Sequence, residues 1–138
     1  MKILAVGDSF VPTRLFEIGL AHLAAEHRVR FIQLDMDAPF IPTTPSERSI
    51  KEYAGNPQQL VDALDGEEIL LMHAAPITDA VLDASPNLKV VGVARGGPVN
   101  IDLATASDRG IVVITAPGRN ADAVADLTLA FIVTLRTG

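Results

Sequence analysis

Short apolar runs alternate with helical spacings along the 138 residues of the chain. The runs are rich in Val, Ile and Leu and are bounded by Gly, Pro or polar residues, which is typical of strands covered on both faces of a parallel sheet. They predict strands at residues 2–6, 28–34, 68–72, 89–94 and 111–115. Between the first two runs, Phe16, Leu20 and Leu23 recur at i, i+4 and i+7. This spacing predicts a helix with one buried stripe.

Capping residues mark where the helices begin and end. The pattern predicts helices at residues 13–26, 58–64, 78–82, 103–109 and 121–135. Thr13 is a candidate N-cap for the first helix, Thr78 or Asp79 for the third, and Asp102 for the fourth. Gly110 suits the position after the last turn of the fourth helix. Strands that alternate with helices predict an α/β fold, with a doubly wound, open, parallel five-stranded sheet and helices on both faces.

The segment 35–57 breaks this alternation. Prolines at 39, 42, 45 and 57 interrupt any long element there. We predict a long surface connection with a short helix near residues 46–53. Such a connection serves either as a flap over a site or as plain linkage.

Charge and composition exclude several classes of function. The formal net charge is −6, whereas nucleic acids and anionic membranes require a basic face on their partners. The absence of Cys excludes disulfides and thiolate metal sites and favours a cytoplasmic location. The longest apolar run, 123–135, contains Asp126 and is shorter than the roughly 20 residues that span a bilayer.

Candidate site residues follow the predicted strands. Because the carboxyl ends of parallel strands meet at one edge, where ligands bind in open α/β sheets, we expect three turns to lie together there. They are Gly7-Asp8-Ser9, His73-Ala74-Ala75 and Arg95-Gly96-Gly97-Pro98, with Gly118-Arg119-Asn120 close by.

The glycine pair at 96 and 97 has two interpretations. Glycines permit successive amides to converge on a carboxylate, or they serve only the geometry of a strand-to-helix turn. Arg95 or Arg119 either makes a bidentate contact with a carboxylate or is an ordinary surface arginine. His73 is the histidine best placed to touch a ligand.

Several familiar motifs are missing. No G-x-G-x-x-G follows a strand and no G-x-x-x-x-G-K-[ST] occurs, so the chain has neither a dinucleotide fingerprint nor a P-loop. His22 and His27 are five apart on the predicted first helix, which puts them on different faces and predicts no metal site. Asp8 lacks the second acid and the lysine expected around a phosphoacceptor aspartate.

The segment LKVVGVARGGPVNIDLATASDRGIVVITAPGRNADAVADLTLAFIVTL carries a specific set of motifs: N-x-D, RG-I-x-V, a Pro-Gly turn followed by Asn120, and A-V-A-D. In this register the chain resembles the D-isomer-specific 2-hydroxyacid dehydrogenases, especially the phosphoglycerate-dehydrogenase-like members. ITDAVLDASPNLK and, weakly, KILAVGDSF extend the resemblance over most of the chain. The departures are Met72-His73-Ala74, where many relatives have an Arg-Ser pair, and Asp126, where Glu is usual.

The resemblance implies a flavodoxin-like substrate-binding domain at residues 1–120 and a helix crossing between domains at 121–138. It implies that the ARGGP loop, with Gly96 and Gly97 flanked by Arg95 and Pro98, holds the carboxylate of a 2-hydroxy or 2-oxo acid, and that Asn120 lies at the domain cleft beside the substrate. His73, chosen from its position after the third strand and not from the resemblance, is a further candidate substrate residue. Gly96 and Asn120 would also face the NAD or NADP cofactor of the intact parent enzyme.

The resemblance also implies what the chain lacks. The cofactor fingerprint and the family's catalytic residues lie downstream of residue 138, so no catalytic residue, bound cofactor or hydride transfer is expected of this chain alone. The expected partners are the missing nucleotide-binding domain and a second copy of the chain. The last helix is apolar on two flanks, so it either folds back on its own sheet or is buried in a homodimer. The alternative function is a flavodoxin-like fragment or module that binds small anions or assembles without catalysis.

Overall fold

Five parallel strands form the centre of the described part of the molecule. The computed structural model describes residues 1–34, 42 and 44–136. The strands are β1 Lys2–Gly7, β2 Arg28–Gln33, β3 Ile69–Met72, β4 Val90–Val93 and β5 Val112–Thr115. They pair in the order β2-β1-β3-β4-β5, and every pair is parallel. The predicted doubly wound parallel sheet is confirmed, with its change of direction at the β1/β3 boundary.

Within the described residues, five helices connect or follow the strands. They are α1 Thr13–Leu20, α2 Pro57–Ala63, α3 Asp79–Asp83, α4 Leu103–Asp108 and α5 Ala121–Arg136, with a 3-10 turn at Ser46–Ser49. The chain moves from β1 to β2 in one direction and from β3 to β5 in the other. Right-handed crossovers therefore place α1 on one face of the sheet and α2, α3 and α4 on the opposite face.

The core lies on the face covered by three helices. Alternate strand residues point into it, as the period of two requires. Its buried side chains from the strands are Leu4, Val6, Leu70, Met72, Val91 and Val93, and those from the helices are Leu60, Val81, Leu82 and Ala106. This packing fixes the strand ends from which the candidate site is built.

The opposite face is only partly covered, which corrects the expectation of strands buried on both faces. α1 packs mainly against β1 and β2. Val112 and Ile114 of β5 are each 55% exposed on the described surface. The pattern of the sequence could not show this, because a strand carries the same residues whether its covering element is present or not.

Helix α5 does not fold back on this open face, so that alternative is wrong. Its large apolar side chains are all at least half exposed: Val124, Leu127, Leu129, Phe131, Ile132, Val133 and Leu135. None of the helices within the described ranges is both long and apolar enough to cross a membrane.

The capping predictions hold for the later helices and fail for the first. Asp102 accepts a hydrogen bond from the Thr105 amide at 3.1 Å, and Gly110 has a φ of +69°. Thr78 is the cap of α3. Thr13 is not an N-cap, since it is already the first residue of α1.

A side chain from the neighbouring strand takes the place of an N-cap at the start of α1. The Thr13 amide donates to Oε1 of Gln33 at 3.1 Å, so a side chain from β2 satisfies the free end of α1.

Helix α1 ends at Leu20 rather than at residue 26, and turns follow it. His22 and His27 therefore lie outside it, and the face argument applied to them was wrong, although the part of the chain described here contains no metal-ligand cluster.

The described part of segment 35–57 is a connection with many exposed residues that several buried side chains anchor to the fold. Residues 35–41 and 43 lie outside the described residues, as do 137–138 at the end of the chain. Ile50, Tyr53 and Ala54 are each at most 5% exposed. The Lys51 amide donates to the Val99 carbonyl and the Ala54 amide to the Ala74 carbonyl, each at 2.7 Å. The segment is thereby fixed against the turns that follow β3 and β4.

Tyr53 gives this packed segment a pH signature. Burial, together with its 2.8 Å hydrogen bond to Glu47, raises the pKa of Tyr53 from 10.0 to about 12. The unfolded chain thus loses the tyrosine proton at lower pH than the folded chain. The resulting stabilisation is complete below pH 10.0 and is lost as the pH rises through about 12.

We expect the free energy of unfolding to fall by about 2–3 kcal/mol from this group alone as the pH rises through that window. Urea denaturation at a series of pH values measures it. Tyr53 is the single tyrosine and the chain has no Trp, so tyrosinate absorbance follows this residue only. Tyr53→Phe is the control and should flatten the pH dependence. Tyrosinate appearing with a midpoint near 10 in the folded protein would contradict the prediction.

Candidate functional site

The turns after four neighbouring strands meet at the carboxyl edge of the sheet, as the sequence predicted. Asp8 follows β1, His73 follows β3, Arg95 follows β4 and Arg119 lies beyond β5. Two adjoining hollows open there, of about 350 and 310 Å³. Both are lined by Glu52 and by the last three of these residues. Phe10 and Ala74 complete the first hollow, and Gly96, Gly97, Val99 and Asn120 complete the second.

A buried aspartate organises this edge. Asp8 is 2% exposed, and its carboxylate accepts hydrogen bonds from the amides of Phe10 (2.8 Å), Val11 (2.9 Å) and Ala74 (3.0 Å). Its Oδ2 also lies 2.9 Å from Nδ1 of His73. Asp8 thus joins the turns after β1 and β3 at the point where the strand order reverses, which is where open sheets bind ligands.

The hydrogen bonds of His73 assign its tautomer. An ionised carboxylate only accepts, so Nδ1 of His73 donates to Asp8. Nε2 lies 3.3 Å from Nη2 of Arg119, and a guanidinium only donates, so Nε2 is the acceptor. Asp8 therefore holds a neutral imidazole whose bare nitrogen receives Arg119. Sequence reasoning singled out His73 but missed that Asp8 is its partner; the adjacency of β1 and β3 is the signal that pairs them.

Arg95 is neutralised by a carboxylate. Its Nη1 donates to the Glu52 carbonyl oxygen at 2.7 Å and its Nη2 to Oε2 of Glu52 at 2.5 Å. Glu52 has a φ of +50°, a conformation that non-glycine residues adopt only when their surroundings hold them in it. The packed segment around Tyr53 supplies those surroundings. Glu52 was not predicted, because 43 residues separate it from Arg95.

The two glycines are not required by the fold. Neither Gly96 nor Gly97 has a positive φ. An added Cβ on Gly97 would meet nothing within 4 Å, and one on Gly96 would come only within 3.9 Å of Pro117. The interpretation that these glycines serve only turn geometry is therefore not supported. Within the described residues, their amides also donate to no acceptor.

The remaining predicted residues lie around the same turns. Asn120 lines the hollow beside the glycines. Pro98 does not line either hollow, and its carbonyl accepts a hydrogen bond from the Ile101 amide at 3.2 Å. Asn100, which the sequence did not single out, is fully buried and donates to the Ala75 carbonyl at 2.8 Å. This bond joins the turn after β4 to the turn after β3.

A third hollow, of about 470 Å³, lies at the opposite edge of the sheet between Gly66 and Asn87. The charged side chains that line it already have partners, since Nζ of Lys2 donates to the Asp65 carbonyl at 2.7 Å. Nζ of Lys89 donates to Oε1 of Glu68 at 2.8 Å, and this hydrogen bond is the main reason that the pKa of Glu68 is lowered. The carboxyl edge is therefore the better candidate for a ligand site.

Known proteins resemble this chain over a limited part of their own length. The chain is 45% identical over 64 residues to the putative 2-hydroxyacid dehydrogenase YoaD of Bacillus subtilis, covering 46% of this chain and 19% of that protein. It is 32% identical over 85 residues to D-3-phosphoglycerate dehydrogenase of Sus scrofa, covering 62% of this chain and 16% of that enzyme. The chain thus matches about a fifth or less of the length of these relatives.

A solved structure shows the same fold. The TT0316 protein from Thermus thermophilus superposes with a TM-score of 0.66 at 24% identity, covering 96% of this chain and 36% of that one. The family model described as D-isomer specific 2-hydroxyacid dehydrogenase, catalytic domain, matches residues 25–136. With the five-stranded sheet and the clustered turns, this match shows that the chain belongs to the D-isomer specific 2-hydroxyacid dehydrogenase family.

Proposed function

We propose that this chain is the substrate-binding part of an NAD- or NADP-dependent 2-hydroxyacid dehydrogenase and holds the carboxylate of a 2-hydroxy or 2-oxo acid. The amides of Gly96 and Gly97 are the proposed carboxylate donors, with Arg95, His73 and Asn120 around them. Pro98, also predicted as a substrate residue, belongs to the same turn.

One observation carries this proposal. Gly96 and Gly97 are glycine although neither φ nor packing demands it, and their amides have no acceptor in the described part of the chain. The space that a Cβ would take at Gly97 is left open, next to a hollow that this residue lines. Successive amides without an acceptor, beside an open hollow, suit a carboxylate.

Gly97→Ala tests this. The variant should keep the free energy of unfolding within about 1 kcal/mol of the wild type, since nothing packs against the added methyl. It should weaken the binding of D-glycerate about tenfold or more, because the methyl lies where the carboxylate binds. Amide NMR titration of the chain measures both the affinity and the residues affected.

The control is Gly19→Ala, which adds a methyl to the exposed side of α1, again with nothing within 4 Å. It should leave D-glycerate binding unchanged. In the wild type, D-glycerate should shift the amide signals of Gly96 and Gly97. If those two signals stay unmoved at saturating D-glycerate, the proposed function is wrong.

The proposed domain division is a substrate-binding domain at 1–120 and an inter-domain helix at 121–138. Gly96 and Asn120 line the hollow and are proposed to face the cofactor. No G-x-G-x-x-G follows a strand of this chain. We therefore assign dinucleotide binding to a separate nucleotide-binding domain and propose no hydride transfer by this chain alone.

A second copy of the chain is the proposed cover for helix α5. Leu127 and Phe131 are 54% and 60% exposed, and the open sheet face around Ile114 lies on the same molecule. Burying two such apolar surfaces against each other in a symmetric exchange removes both from water. We expect sedimentation equilibrium to show a dimer and Phe131→Asp to convert it to a monomer. A wild-type monomer whose α5 amides still resist hydrogen exchange would exclude this arrangement.

A further inference from the structure

The two arginines of the candidate site are in different electrostatic states. Arg95 forms an ion pair with Glu52 at 2.5 Å. Nη2 of Arg119 donates a hydrogen bond to Nε2 of His73, which carries no negative charge. No carboxylate of the described residues lies within ion-pair distance of Arg119. A guanidinium that is fixed in place but not neutralised is prepared to bind an anion.

The support for Arg119 is buried and polar. His73 is 8% exposed and Asp8 is 2% exposed, so the acceptor for Arg119 is held by a carboxylate with three further amide contacts. Such a chain of hydrogen bonds fixes a terminal side chain in one orientation. The phenyl ring of Phe10 contacts the imidazole edge to face, with ring centroids 6.1 Å apart, and closes the other side.

Arg119 borders both hollows. One contains Gly96 and Gly97, and the other contains Phe10 and Ala74 without the glycines. Glu52, His73 and Arg95 also border both hollows, and Glu52 is already paired with Arg95. An acid whose first carboxylate binds the glycine amides and that extends into the second hollow is therefore within reach of Arg119.

We propose that Arg119, positioned by the Asp8–His73 pair, binds a second oxyanion of the substrate. The substrate is then a 2-hydroxy acid with an anionic group at each end, a phosphate or a second carboxylate. This assignment rests on the proposed function, because it takes the first carboxylate to lie on Gly96 and Gly97. Arg119 is the binding residue, and Asp8 and His73 are positioning residues.

The experiment is an NMR titration of the 138-residue chain with three acids. D-glycerate carries one carboxylate, D-malate carries two, and 3-phospho-D-glycerate carries a carboxylate and a phosphate. At least one dianionic acid should bind about tenfold or more tightly than D-glycerate, as a charge-assisted contact predicts. Whichever of the two binds more tightly identifies the second group.

Arg119→Gln should remove that preference, so that both dianionic acids then bind within about twofold of the affinity of the same variant for D-glycerate. The side chain is on the surface, so the variant should fold normally. Arg109→Gln is the matched control, since Arg109 pairs with Asp83 at 2.5 Å on α3 and lies outside both hollows. It should leave all three affinities unchanged.

The ring of His73 provides a readout that a purely structural residue would not give. Its Nε2 resonance should move when the dianionic acid binds and stay in place with D-glycerate. Two results would overturn the assignment while leaving the proposed function intact: D-glycerate shifting Gly96 and Gly97 without any preference for the dianions, or a preference that survives Arg119→Gln. If no acid moves any signal of the wild type, both proposals are wrong.

Discussion

Asp8→Ala is expected to lower the free energy of unfolding by about 3–5 kcal/mol. The substitution removes one carboxylate that accepts from the amides of Phe10, Val11 and Ala74 and from the His73 ring. The Ala74 amide and the His73 ring are buried, so they would lose their acceptor without gaining water. For a domain whose total stability is roughly 5–15 kcal/mol, this is a large share.

Urea denaturation of the variant, the wild type and Asp108→Ala measures the loss. Asp108 lies exposed at the end of α4, and its removal should change the free energy of unfolding by no more than about 0.5 kcal/mol. Asp8→Asn keeps an acceptor oxygen but not the negative charge, so its stability should lie between those of Asp8→Ala and the wild type. An Asp8→Ala midpoint equal to that of Asp108→Ala would show that the aspartate does not hold the two turns together.

Gly7→Ala is expected to destabilise the chain by at least about 3 kcal/mol for a different reason. A Cβ on Gly7 would lie 2.3 Å from the backbone nitrogen of Thr13 and 2.9 Å from the carbonyl carbon of Pro12. Both atoms belong to the start of α1, so the helix would have to move away from the end of β1. The same movement would break the hydrogen bond from the Thr13 amide to Gln33.

The matched control is again Gly19→Ala. Gly19 lies inside α1 with open space around it, so alanine should stabilise the chain by about 0.5–1 kcal/mol. The same substitution should therefore lower the free energy of unfolding at Gly7, through close packing, and raise it at Gly19, through helix propensity. A loss below about 1 kcal/mol for Gly7→Ala would mean that the strand end and α1 are not in the close contact described.

The sequence determined the sheet and the edge at which its turns meet. Short β-branched runs and helical spacings each reflect local burial, so they predicted all five strands and the edge at which their turns meet. Caps that act within a few residues, such as Asp102 and Gly110, were also predictable, because donor and acceptor are neighbours in the chain. The motif register around ARGGP and PGRN was enough to indicate the family.

Only the tertiary structure decided which side chains form pairs. Asp8 and His73 are 65 residues apart, Arg95 and Glu52 are 43 apart, and Thr13 and Gln33 are 20 apart. No local sequence pattern indicates these pairings, because the residues become neighbours only when β1, β2, β3 and β4 lie side by side. The same holds for the open sheet face: the sequence specifies apolar residues at Val112 and Ile114, but their exposure depends on which element packs over them. The sequence thus determined the architecture through local burial, and the tertiary structure decided the charge and orientation of the site through contacts between distant strands.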